Sequence, residues 1–314
     1  MLRVDVHQHL WSEPLVEALS RRNAPPRVRR SGHVWQLDLP SEDTCTIDVA
    51  GDEPATRGAL VHLDGLDMAV LALSGPLGVE SLPGEEAQPV IDAFHAGVDA
   101  LPASFSGWGA LPLRDAVPSD VDRVLDRGWA GICMPAGAIA SPAGLERAGP
   151  LLERLERRSG ALFVHPGPDP WAPLPAADAA PAWWPAMTSY VAGMHAAWHA
   201  FVAQGRRPHP ALRVVFAMLA GGAPLHLERL AARGGPASRA LDRNLFYDTS
   251  SYGVRAIDAM VRIVGIDQLV HGSDRPVVAP PAPPGPLGAA AWEAMTRSNP
   301  ARLLGRQARA LVAA

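Results

Sequence analysis

The sequence has no lysine: all 28 of its basic residues, among 314 in total, are arginine. A Schiff-base lysine, a lysine general base and a carboxylated lysine bridging two metal ions are therefore excluded. Cysteine is almost as scarce. Cys45 and Cys133 are far apart and lack zinc-motif spacing, which points to a reducing compartment. No uncharged apolar run reaches the roughly 18 residues of a membrane span, and the N-terminus lacks the charged-then-apolar pattern of a signal peptide. No basic run exceeds a few arginines and the net charge is −4, so nothing suggests nucleic acid or an anionic membrane surface as a partner. These absences predict a cytoplasmic enzyme or binding protein acting on a small molecule. A homo-oligomer is allowed but not demanded.

What is present is apolar material: 48% of residues are hydrophobic, ample for a core. The arginine bias, with abundant Ala, Pro and Gly, reads as the mark of a GC-rich genome.

The chain is organised around its first nine residues, Met1-Leu-Arg-Val-Asp-Val-His-Gln-His9. They alternate as a strand does, with Val4 and Val6 facing one way and Asp5, His7 and His9 the other. Two imidazoles at i and i+2 on one strand face present themselves to one point in space, which suits a divalent metal.

A helix is expected from Ser12, then a basic, Pro-containing loop over 21–30. Two alternating runs, 33–38 and 44–49, look like a small β-hairpin inserted after the first strand. A helix over 55–64 precedes Met68-Ala-Val-Leu-Ala-Leu73, a run typical of a strand buried on both faces. Strands are predicted at 105–111, 129–134, 161–165, 212–218, 245–248 and 268–271. Helices are predicted at 88–100, 119–127, 145–158, 187–204, 224–233, 254–264 and from Leu287 onward. Loops rich in Pro fill 166–185 and 276–286. Eight strand–helix units predict one (β/α)₈ TIM barrel over residues 1–314, with the 33–49 hairpin as its insertion. A doubly wound open sheet would carry a Gly-rich phosphate turn after its first strand; Gln8-His9-Leu10-Trp11 is not one.

In such a barrel the active site lies at the C-terminal ends of the strands. The first strand ends at His9, the fifth at His165, and the eighth is followed by Gly272-Ser273-Asp274. His7, His9, His165 and Asp274 thus form a mononuclear ligand set for one divalent ion: zinc, or manganese or iron. Each residue alone has a plain alternative, a hydrogen-bonded strand-end histidine or a turn aspartate. Their convergence at strands one, five and eight favours the metal.

Several of these stretches together resemble the amidohydrolase superfamily. They are Asp5-Val-His-Gln-His9, Phe163-Val-His-Pro166, Leu212-Arg-Val-Val-Phe-Ala217, Asn244-Leu-Phe-Tyr-Asp-Thr-Ser250, His271-Gly-Ser-Asp-Arg-Pro276 and Asn299-Pro-Ala-Arg-Leu-Leu-Gly305. The branch is that of aminocarboxymuconate-semialdehyde decarboxylase and resorcylate-type decarboxylases, with lactonases of pyrone and sugar acids more distant. The resemblance runs nearly end to end and implies the barrel and the same four metal ligands. One departure stands out. The family's sixth strand ends in a histidine that activates metal-bound water or transfers a proton; here that position is Met218, and a thioether does neither.

Asp274 is then the proton-transfer group, with His226, in the first turn of the sixth helix, as a relocated stand-in. His195 and His199, at i and i+4 on a helix, also have metal-like spacing but sit outside the mouth. Cys133 ends strand four, where a second metal would need it. Trp11, Trp108, Trp171, Trp183 and Trp184 are candidate pocket walls. Trp11, Met218 and Arg275 are the expected substrate contacts, Arg275 as a clamp for a carboxylate or else as half of an ion pair. The leading expectation is metal-dependent hydrolysis of a small carboxylated or cyclic amide or lactone substrate. Non-oxidative decarboxylation on the same metal is the rival, and a non-catalytic or repurposed barrel the third reading.

Overall fold

Strands buried on both faces and helices apolar on one face leave this chain one way to close. The computed structural model describes residues 1–174, 180–278 and 287–305, with all their side chains except those of 239 and 240. Residues 175–179 and 279–286, within the two expected Pro-rich loops, lie outside the described residues.

In chain order, β1 (Val4–Gln8) leads to α1 (Glu13–Ser20), then to β2 (Arg27–Ser31), β3 (Val34–Asp38) and β4 (Cys45–Ile47). The repeating units follow: α2 (Pro54–Leu63), β5 (Met68–Leu71), α3 (Gly84–Asp99), β6 (Phe105–Gly109), α4 (Pro118–Leu125), β7 (Gly131–Pro135), α5 (Pro142–Arg157) and β8 (Ala161–His165). After them come α6 (Trp184–Met187), α7 (Ser189–Ala200), β9 (Arg213–Phe216), α8 (Leu227–Ala232), β10 (Leu245–Asp248), α9 (Val254–Val264) and β11 (Leu269–Val270). Two short helices, α10 (Ala289–Glu293) and α11 (Asn299–Leu304), end the described chain. No helix among the described residues is long and apolar enough to cross a membrane.

The parallel sheet runs β1-β5-β6-β7-β8-β9-β10-β11. The chain that follows β11 closes it onto β1. Val6 N–H donates to His271 O (2.9 Å), Asp274 N–H to His7 O (2.9 Å) and His9 N–H to Arg275 O (2.7 Å). The barrel expected from the sequence is present. All eight predicted barrel strands overlap observed ones.

The insertion is larger than the expected hairpin. It is a three-stranded antiparallel sheet, β2-β3-β4, and its first strand occupies part of the stretch read as a basic loop. Arg27 and Arg29 both pair with Asp38 across the sheet at 2.7 Å, while Val28 is buried. Arginine stems cover the sheet and their charges are met by one carboxylate, so composition alone misreads the strand as loop.

Helix starts follow local rules. Pro14 lies in the first turn of α1; the Ser141 hydroxyl caps Gly144 N–H at 3.1 Å ahead of Pro142. On α9, Ile257, Met260 and Val264 form the buried stripe. Inside the barrel, Trp108 stacks on Phe163 (ring centres 5.4 Å apart) and its indole N–H donates to Val6 O at 2.8 Å. Trp108 is therefore a barrel plug, fully buried, and not a pocket wall. Below the mouth a buried chain of hydrogen bonds holds β1: Gln8 donates to Asp5, and Arg57 donates to Gln8 and Asp52.

Candidate metal centre

The mouth is built from strand ends. His7 is in β1 and His9 one residue beyond it; His165 is the last residue of β8; Asp274 lies four residues beyond β11. The structure brings these four together, one donor atom from each, all within 4.8 Å of one another. The three imidazole rings stand 5.0 Å apart, pair by pair, and nearly perpendicular. Phe163 forms the floor, 4.9 Å from the His7 ring.

Hydrogen-bond partners settle which nitrogens face the centre. His7 Nδ1 donates to Asp248 Oδ2 (2.7 Å), His9 Nδ1 to Ala72 O (2.8 Å) and His165 Nδ1 to Pro166 O (2.9 Å). A carbonyl or carboxylate oxygen only accepts, so each Nδ1 carries its proton and each Nε2 is the free donor. His7 Nε2 and His9 Nε2 are 3.2 Å apart, and Asp274 Oδ1 lies 3.4 Å and 3.2 Å from them. Lone pairs aimed at one another across such a gap repel unless a proton on His7 Nε2 or a metal cation sits between them. A tetrahedral ion with bonds of about 2.0–2.1 Å spaces its donors by about 3.3–3.4 Å, so these residues fit one divalent ion.

The electrostatics agree. Burial works to lower the His7 pKa, but Asp248, Asp274 and Asp5 raise it to about 9. Burial, with the neighbouring His7 and His9, pushes His165 well below its ordinary value. Burial acts to raise Asp274, yet the three histidines hold its carboxyl well below the usual carboxylate range. The pocket is one in which a positive charge is wanted at the Nε2 side of His7.

Asp248 is the residue that the sequence reading passed over. It ends β10, one of the positions that the mouth rule picks out, and so was findable. Besides His7, it accepts from Met218 N–H, Ser250 N–H and Ser250 Oγ–H through Oδ1. This fixes the His7 ring and its tautomer. Asp248→Asn should weaken metal binding by roughly 10–100-fold, read by competition with a chromophoric chelator. Unchanged affinity would show that His7 is oriented without it.

Two glycines make room for this set. A Cβ at Gly75 would lie 2.1 Å from Pro166 O, the acceptor of the His165 Nδ1 proton. A Cβ at Gly272 would lie 2.9 Å from both the Asp248 carboxyl and His7 Cβ.

The other expected contacts divide. Met218 is buried at the turn after β9, its N–H held by Asp248 at 3.0 Å. It opens a stretch, Met218 to Gly222, in which all five residues have left-handed backbone, φ from 49° to 76°. Three of them carry side chains and cost of order 1–2 kcal/mol each there, so this turn is held by its surroundings. Asp274 (φ 59°) and Ser251 (φ 62°) share that conformation, and Ser251 Oγ–H donates to Asp274 Oδ2 at 3.2 Å.

Trp11 is half-buried against the core, its N–H held by Asp52. The Arg275 guanidinium is taken by Asp64, the residue that caps the end of α2, at 2.7 Å, the ion-pair alternative. His226 is exposed, and its ring lies against that of His195 at 5.2 Å. His271 packs on Trp292 and faces Asp5 at 3.8 Å. Cys133 is buried and outside the four-donor cluster; burial, then Glu80, push its thiol well above the ordinary value.

Next to the centre, a cavity of about 380 Å³ opens between the inserted sheet, the chain after β8 and the start of α7. Glu42, Cys45, Gly167, Trp184 and Tyr190 are among its walls. Gly167 follows His165 by two residues, which places the cavity beside the four-residue cluster, though those residues do not line it. The Tyr190 hydroxyl donates to Glu42. Burial, then Glu42 and more weakly Asp274, push the Tyr190 phenol far above its ordinary range.

The sequence matches no protein-family model and no curated protein. Solved structures do match. IDCase of Metarhizium anisopliae superposes with a TM-score of 0.75 at 17% identity, over 98% of this chain and 97% of that one. The 2,6-dihydroxybenzoate decarboxylase from Rhizobium gives 0.69 at 16%, over 97% and 98%. The 5-carboxyvanillate decarboxylase from Novosphingobium aromaticivorans, complexed with manganese and 4-hydroxy-3-methoxy-5-nitrobenzoic acid, gives 0.70 at 15%, over 97% and 96%. At this identity the likeness establishes a shared barrel along nearly the whole of both chains, the fold that the resemblance read from the sequence implies.

Proposed function

We propose that this protein is a metal-dependent enzyme of the amidohydrolase superfamily that removes carbon dioxide, without oxidation, from a small unsaturated or aromatic carboxylic acid. Decarboxylation, the rival expectation from the sequence, ranks above hydrolysis. The observation that carries the ranking is the barrel shared along nearly the whole chain with two benzoate-type decarboxylases. Met218 takes the place of the expected imidazole and leaves Asp274 as the group for the one proton that decarboxylation delivers to the carbon the carboxylate leaves.

His7, His9, His165 and Asp274 would hold one divalent ion, zinc or manganese. The bound ion supplies Lewis-acid chemistry, neutralising and orienting the substrate's oxygen atoms. The chain's own residues do the rest. Asp248 keeps Nε2 of His7 on target. Phe163 and Met218 make the mouth apolar, which favours a neutral product over a carboxylate. Asp274 offers one oxygen to the ligand cluster, while Oδ2, held only by Ser251, is the atom that would take a proton from solvent water and pass it to the vacated carbon as carbon dioxide leaves. We assign that proton to Asp274 and not to the exposed His226.

The cavity bounds the substrate. Among the described residues its walls include Glu42 and Asp43 and no arginine or histidine. Arg275 is already paired with Asp64. The part of the substrate beyond the reacting carboxylate therefore carries no second anionic group, and has a hydrogen-bonding group for the Glu42–Tyr190 pair. The test is a panel of hydroxybenzoates and conjugated acids against lactones and amides, on zinc- and manganese-loaded protein in D₂O. Carbon dioxide with deuterium at the vacated carbon is expected. Hydrolysis products without carbon dioxide would reinstate the hydrolase.

A further inference from the structure

Three histidines away from the mouth meet on the outside of the barrel. His195 and His199 lie one turn apart on α7, their ring centres 4.5 Å apart. His226, immediately before α8, brings its ring to 5.2 Å from that of His195, at 77°. The ligand rings at the mouth stand 5.0 Å apart at 86–90°. The His195–His226 pair thus has nearly the spacing and tilt of the mouth imidazoles, and His199 is the i+4 neighbour of His195.

Beyond one another, these rings have one further ring contact among the described residues, His199 edge-on to Trp198 at 4.8 Å. Among the described residues, none of their ring nitrogens takes part in a hydrogen bond or an ion pair. A histidine kept for packing is normally buried and bonded, as His9 and His165 are through Nδ1. As placed, the three do not bring their donor atoms within 4.8 Å of one another as the mouth set does, but His195 and His199 are half-buried and His226 is exposed, so a change of side-chain rotamer turns them toward a common point. Burial, then the nearby histidines, lower both His195 and His199 from the ordinary value. At neutral pH their lone pairs are therefore free.

We propose that His195, His199 and His226 form a second metal site, peripheral to the mouth, for a borderline divalent ion such as Zn²⁺, Ni²⁺ or Cu²⁺. Imidazole-only sets suit these ions, and i, i+4 spacing sets two imidazoles on one helix face. The ion ties α7 to the turn after β9. That turn carries the left-handed stretch from Met218 to Gly222, and α7 carries Tyr190, so the ion fastens two walls of the mouth from outside. This inference does not depend on the reaction proposed above.

The experiment uses the whole chain with its mouth metal loaded and Zn²⁺ or Cu²⁺ alone as probe. Calorimetry should count one further equivalent, and Tm should rise as it binds. His195→Ala and His199→Ala should each weaken that equivalent by about tenfold or more, with the mouth equivalent unchanged. His226→Ala should leave a weaker site on α7 and abolish the rise in Tm. Failure to take a second equivalent at free ion well above micromolar overturns the site, as does equal affinity in wild type and His195→Ala. A rise in Tm undiminished in His226→Ala overturns the bridge between the two elements.

Discussion

His9→Ala protein should purify folded and almost free of metal at the mouth. His9 Nε2 is the closest partner of both His7 Nε2 and Asp274 Oδ1, at 3.2 Å each, so its removal opens the middle of the ligand set. Loss of an orienting group behind a ligand costs about 10–100-fold in affinity, and loss of a ligand should exceed that. Metal content after dialysis, with the chelator competition used for Asp248→Asn, reads the result. The pH dependence has a definite sign. His7, raised to about 9 by its three carboxylate neighbours against burial, is protonated at neutral pH until an ion displaces that proton. Wild-type affinity should therefore fall as pH drops below about 9, with one proton released per ion bound. In His9→Ala the carboxylates around His7 remain, so the proton stays and the ion does not enter. Undiminished occupancy in this variant would remove the metal assignment and the proposed reaction with it.

The barrel was legible because its signal is repeated and local. Runs such as Met68-Ala-Val-Leu-Ala-Leu73 are typical of strands covered on both faces, and eight strand–helix units leave little topological choice. The convergence of His7, His9, His165 and Asp274 was legible for a related reason: strand ends point at the mouth, and polar residues there stand out against apolar strands. Asp248 obeys the same rule and was missed because it sits inside a stretch valued only for its resemblance. Other features depend on contacts across sequence and had no local mark. Arg275 meets Asp64, 211 residues away. The left-handed turn at Met218, Leu219 and Ala220 runs against the preference of each residue and exists because Asp248 and Ser250 grip the Met218 N–H. Trp108 looked like a pocket wall by its place at a strand end, but its side of the strand faces the barrel axis. The three imidazoles of the outer cluster come from two segments whose meeting only the packing of α7 on the turn after β9 decides.

Asp274→Asn should then cost turnover about 10²–10⁴-fold, the usual contribution of a positioned acid or base. Asparagine keeps an oxygen where Oδ1 faces the two Nε2 atoms, but it cannot take up and deliver a proton through the other atom. The comparison is made at saturating ion, with metal content measured in the same preparation, so that a binding defect is not read as a chemical one. Three partners frame the expectation. Met218→Leu should lose little, because the thioether's role is to keep the wall apolar. Ser251→Ala should fall between, since it frees Oδ2 of its one hydrogen bond without removing the acid. His226→Ala should keep wild-type turnover, because its ring is turned to His195 at the surface. If His226→Ala instead falls as far as Asp274→Asn while holding its metal, a relocated histidine delivers the proton, and Asp274 is a ligand alone. If turnover on the acid, lactone and amide panel never depends on Asp274, the barrel has kept its metal centre for a purpose other than catalysis.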